Sequence, residues 1–169
     1  MKNHFELFGL APAYALDPGR LDHAYREIQA RIHPDRFAHA GDAERRASMQ
    51  WTTQVNEAYR TLKSPVQRAK YLLALNGIDV AFETDTAMPK DFLMEQLELR
   101  ERLEEVRDVE SLRPIQSNLN AEKQSIEKKI AEHLDTKRDF EGAKILVRKL
   151  MFLDRLGEEV LAAYEALEA

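Results

Sequence analysis

Apolar residues recur at spacings of three and four through five long stretches of this chain, and that period commits it to packed amphipathic helices. Leu21, Ala24, Ile28 and Ile32 mark one stripe within 18–33, and Ala47, Trp51, Val55, Ala58 and Leu62 a second within 42–63. Phe92, Leu99, Leu103 and Val106 belong to 89–107; Ile115, Leu119, Ile126, Ile130 and Leu134 to 110–134; Leu146, Leu150, Leu153, Val160, Tyr164 and Leu167 to 139–167. The punctuation agrees with the stripes. Asp17-Pro18 supplies an acceptor at a helix N-cap and proline at its first position. Pro34 disfavours helical geometry at His33, Asp42 is placed to cap the next helix, and Ser64-Pro65 ends it. A short helix with Ala69, Leu72, Leu73 and Leu75 follows, with Asn76-Gly77 as its C-cap.

The fold class expected is therefore all-α, and six glycines and six prolines in 169 residues suit it. Residues 1–77 form one unit, a long helix pair with short helices at either side. Residues 78–88 read as a connector. Three long helices with short connections make 89–169 a three-helix bundle of antiparallel neighbours.

Composition narrows the chemistry. With no cysteine, the chain offers no disulfide, thiolate zinc site, cysteine nucleophile or sulfur ligand for a cluster. A net charge of −5 argues against nonspecific nucleic-acid binding, which needs clustered cations to displace counterions. No apolar run approaches the ~18 residues of a membrane span, and the start, MKNHFELFGL, lacks the basic and apolar regions of a signal peptide. A cytoplasmic protein with protein partners, no membrane, no metal and no cofactor is expected.

His33-Pro34-Asp35 closes the first long helix, after Tyr25 and Arg26, and a second long helix follows its loop. Proline stiffens such a tip, while His33 and Asp35 offer hydrogen-bonding groups beside the cations Arg26, Arg31 and Arg36. A plainer reading makes His33 and Asp35 helix caps. A catalytic reading would recruit His33, Asp35 and His39, but neither a carboxylate cluster nor a glycine-rich phosphate loop accompanies them.

The helix pair with its tripeptide resembles the J-domain, and Asn56-Glu57-Ala58-Tyr59-Arg60-Thr61-Leu62, Ser64-Pro65 and Arg68-Ala69-Lys70-Tyr71 are similar to that family's later signatures. The resemblance implies a co-chaperone that docks on a DnaK-like chaperone and stimulates its ATPase, without being an enzyme itself. His33, Pro34 and Asp35 would make the contact, with Tyr25 and Arg26. Asp22 and Glu27 stand where general J-domains are often basic, which favours a specialised chaperone.

A second signal lies on the first bundle helix. At ~100° per residue, Leu93, Met94 and Leu97 fall opposite Phe92, Leu99 and Leu103 and share their side with Glu98, Glu101 and Glu105. Such a helix buries one side, so these three should face solvent as an apolar patch with an acidic rim. Phe152 lies off the Leu150–Leu153 stripe and could extend the patch. The alternative is that the first unit covers all of them. Phe92-Leu93-Met94-Glu95-Gln96-Leu97-Glu98-Leu99-Arg100-Glu101 and Val147-Arg148-Lys149-Leu150-Met151-Phe152-Leu153-Asp154 resemble the C-terminal domain of the HscB-type co-chaperones of iron–sulfur cluster assembly, in their bacterial form. That resemblance implies an IscU-like scaffold protein as client, delivered to an HscA-like chaperone. The implied scaffold contacts are Leu93, Met94, Leu97, Glu98, Glu101, Glu105 and Phe152. A J-domain protein with a different client is the alternative.

Overall fold

The computed structural model describes residues 2–80 and 88–169. The chain divides into two compact units, residues 1–72 and 73–169. Most of the expected connector, 81–87, lies outside the described residues.

In the first unit, α1 (His4–Leu7) opens with a reciprocal cap. The Glu6 amide donates to the Asn3 side chain at 2.8 Å, and the Asn3 amide donates to Glu6 at 3.1 Å. Asp17 caps α2 (Pro18–Ile32) by accepting from the Gly19 amide at 2.9 Å. A 3-10 turn over Pro34–Phe37 leads towards α3 (Asp42–Lys63), and α4 (Pro65–Leu75) starts in this unit, its last three residues counting with the second. Helices α2 and α3 run antiparallel, as their cross-links descend one and climb the other. Asp22 meets Tyr59 and Lys63, Tyr25 meets Asn56, and Ile32 meets Ser48. Phe5, Leu21, Val55, Ala58 and Leu62 are wholly buried in this unit. Arg68 of α4 donates to the carbonyls of Tyr14 and Leu62, both at 2.7 Å, and its guanidinium lies over the Tyr14 ring.

Three local expectations need correction. Ala47 and Trp51 share the core angle of α3 with Val55 and Leu62, yet both are exposed. The short α1 leaves that level of α3 uncovered, and Lys2, His4 and Leu7 face it across a groove of 660 Å³. Ser48 occupies the buried position there instead. Gly41, not Asp42, is the N-cap of α3, and the Asp42 carboxylate pairs with Arg45 one turn along. Leu75 is exposed at the end of α4, where the chain turns on Gly77 at φ +77°. There the Ile78 amide donates to the Leu73 carbonyl and the Gly77 amide to that of Ala74, a left-handed cap that suits glycine.

The second unit holds α5 (Lys90–Glu105), α6 (Val109–Ala131) and α7 (Phe140–Glu168). Asp108 starts α6 by accepting from the amide and hydroxyl of Ser111, each at 2.8 Å. Those bonds, the hydroxyl's first, hold its carboxyl below the usual range. Helix α6 widens at its end into a π-turn over Glu132–Thr136 that keeps Leu134 in the core. Asp139 then caps α7 from the Gly142 amide at 2.9 Å; a Cβ on Gly142 would lie 2.1 Å from the Asp139 carboxylate. Leu112, Ile115, Leu119, Ile126 and Ile130 of α6 are buried, as are Leu146, Val147, Leu150, Leu153, Leu156 and Val160 of α7. The two helices pack closely, whereas α5 meets each of them sparsely. Helix α5 stops at Glu105 with Val106 already extended, and Leu99 and Leu103 are half-buried.

Candidate functional site: the loop tip and the outer face of the bundle

At the tip, His33 adopts φ −54°, ψ 133°, the extended geometry that a following proline imposes. Its Nδ1 accepts from the Asp35 amide at 3.2 Å, and its carbonyl accepts from the Arg36 amide at 3.0 Å. The imidazole therefore caps its own turn. With Nδ1 engaged as acceptor, Nε2 carries the proton of the neutral ring and is the atom left to bond outward. The Asp35 carboxylate lies 3.6 Å from Nδ1 and its side chain is 93% exposed. Arg26, Arg31 and Arg36 are exposed on the same stretch. Behind the tip, the Ser48 hydroxyl donates to the Ile32 carbonyl at 2.6 Å. That bond ties the end of α2 to α3, and nothing in the apolar pattern pointed to it.

The helix before the tip is locked to its neighbour. The Tyr25 ring stacks on Tyr59 at 4.0 Å, and its hydroxyl donates to Asn56 at 2.6 Å and accepts from Gln29 at 3.1 Å. Tyr25 is thus half-buried and engaged within the unit, whereas Arg26 is exposed. Asp22 accepts from the Tyr59 hydroxyl at 2.7 Å and from Lys63 at 2.9 Å. The Tyr59 bond first, then Lys63, holds the Asp22 carboxyl below its usual range, and the same contact raises the Tyr59 phenol. Glu27 pairs with His23 at 3.2 Å. The two acidic residues singled out on α2 therefore each have a partner inside the helix pair.

On α5, Leu93, Met94 and Leu97 are 39, 62 and 58% exposed. Glu98, Glu101 and Glu105 are exposed with them, and Arg100 turns away to pair with Glu159 of α7 at 3.2 Å. Phe92 is buried, and the half-buried Phe152 of α7 meets it edge-on at 6.0 Å, with Lys149 over the same ring. Phe152 thereby meets α5 from a second helix, at a buried residue on the side opposite Leu93, Met94 and Leu97. Sequence reasoning missed Gln96, which is 3% exposed on the inner side of α5. Among the described residues, no three His, Asp or Glu side chains gather as a metal site requires, and no helix is long and apolar enough to cross a membrane.

Residues 88–161 match the family model described as the HSCB C-terminal oligomerisation domain. Over 169 aligned residues the chain is 47% identical to the co-chaperone protein HscB homolog of Burkholderia vietnamiensis (strain G4 / LMG 22486), covering 98% of this chain and 96% of that one. The chain belongs to the HscB co-chaperone family. Two solved members of that family share its fold. Chaperone HscB from Vibrio cholerae superposes with a TM-score of 0.88 at 36% identity, over 98% of this chain and 99% of its own. Human co-chaperone HscB gives 0.92 at 30% identity, over 96% of this chain and 82% of its own. As in the family, this chain is all-helical among its described residues, and its co-chaperone class accords with a protein that acts through contact surfaces.

Proposed function

We propose that this chain is a co-chaperone of iron–sulfur cluster assembly that acts in the cytoplasm, binds an IscU-like scaffold protein on the outer face of α5, and delivers it to an HscA-like chaperone. The His33-Pro34-Asp35 turn docks on that chaperone and stimulates its ATPase; the chain itself catalyses no reaction. One observation carries the reading: a single chain couples a self-capped, cation-flanked tip with three large exposed apolar side chains inside an acidic rim. Membership of the HscB family supports it.

Leu93, Met94 and Leu97 are 39, 62 and 58% exposed, so a client that covers them buries about half of each side chain, and the gain per residue stays below the roughly 1.5–3 kcal/mol of full burial. So small an apolar gain suits a reversible complex, and the acidic rim favours a client with a basic surround.

Calorimetric titration with the purified scaffold, run beside the Leu93→Ala/Met94→Ala/Leu97→Ala variant, tests the reading. Micromolar binding by the wild type, weakened in the variant, is the expected result. Absence of binding to both apo and cluster-loaded scaffold would leave a J-domain co-chaperone with a different client.

A further inference from the structure

Helix α5 is the least secured element of its unit. Among the described residues it buries two side chains along its 16 residues, Phe92 and Gln96, whereas α6 buries five and α7 eight. One of the two is polar, and the Gln96 Oε1 has no hydrogen-bond partner there. Burying an acceptor without a donor raises the energy of the docked helix, and undocking returns that atom to water.

The neighbours of Gln96 add little. Glu95 repels Glu122 of α6 across the seam, with Lys149 of α7 as the attracting charge. The Arg100–Glu159 pair on the other edge is partly exposed, and such pairs contribute little. Pro89, the N-cap, supplies no side-chain bond to the first amides.

The outer face nevertheless depends on α5 being docked. Leu93, Met94 and Leu97 come from α5, whereas Phe152, the fourth apolar contact that the family resemblance implies for the client, comes from α7 and meets α5 through Phe92. Moving α5 away separates these contacts. We propose that α5 is a release arm: it undocks as a unit while α6 and α7 stay paired, and this opening ends the client's residence. The client's identity as the scaffold protein rests on the function proposed above, whereas the opening does not.

Hydrogen exchange read by mass spectrometry on the full chain tests the opening, with Gln96→Met, close in shape to glutamine, and Gln96→Leu. In the wild type, α5 amides are expected to exchange through an opening that leaves the central amides of α6 and α7 protected. Both substitutions remove the orphaned acceptor and should slow α5 exchange about tenfold with α6 and α7 unchanged. Dissociation of purified scaffold, followed by stopped flow, should slow by a similar factor. Equal protection of all three helices, or α5 exchange that is unchanged or faster in both variants, overturns the opening. Slower exchange with unaltered dissociation overturns the release role. A wild type that binds no scaffold refutes the functional reading instead, and the exchange result still decides whether α5 opens.

Discussion

Ser48 holds Ile32: its hydroxyl donates to the Ile32 carbonyl at 2.6 Å, one residue before the tip begins, from a position on α3 that is 4% exposed. A helix end leaves its last carbonyls without partners, and this bond satisfies one of them with a side chain from the facing helix. Replacing Ser48 with alanine strands the carbonyl and should cost about 1–2 kcal/mol, read as a lower denaturation midpoint. ATPase stimulation should fall with it, since the bond fixes where the tip sits. An unchanged midpoint would mean that water replaces the hydroxyl without loss.

His33→Gln keeps a side chain of similar reach but removes the ring that closes the turn. Stimulation of the chaperone ATPase is expected to vanish, while scaffold binding in the calorimeter stays intact because α5 lies in the other unit. Equal loss of both activities would make His33 a folding residue.

Glu98, Glu101 and Glu105 are exposed, and the nearby Arg100 is engaged with Glu159. Changing the three glutamates to glutamine should therefore lower the association rate with the scaffold and flatten its dependence on salt, with little change in melting temperature. A rate that ignores both charge and salt would remove the rim from recognition.

Burial, followed by the nearby Glu95, pushes the Glu122 carboxyl above its ordinary value of 4.5, and Lys149 opposes the shift. A raised carboxyl favours the protonated form in the folded chain. Its contribution to stability is fully present below about 4.5 and is lost as pH rises through the folded value. Glu122→Gln should thus leave stability near neutrality unchanged or improved. Comparing urea denaturation at pH 4 and pH 7 reads the difference: the wild type should lose ground to the variant on going to the higher pH.

The helices and the two surfaces were legible because they are written in period and in rare residues. Stripes such as Ile115, Leu119, Ile126 and Ile130 place α6 against its partner whatever the details, and Leu93, Met94 and Leu97 stand out as apolar side chains on an acidic side. What escaped depends on neighbours rather than on the helix itself. Trp51 has the right angle for the core, but α1 is too short to cover it. Ser48 and Gln96 are polar residues at buried angles, and periodicity counts them as surface. Tyr25 is expected to touch a chaperone, yet Asn56 claims its hydroxyl, and Tyr59 and Lys63 claim the Asp22 carboxylate, across 31 to 41 residues. No local pattern announces a partner at that separation.

The ring of His33, bonded back to the Asp35 amide, bears on the kinetics of docking as well as on shape. A flexible loop must be frozen when it is bound, and that ordering slows capture and weakens the complex. Here the turn is preorganised, so if the tip docks on a chaperone as proposed above, the conformational search is complete beforehand, and encounter is left to diffusion and to the attraction of the exposed Arg26, Arg31 and Arg36. A tip of that kind favours fast capture over tight binding.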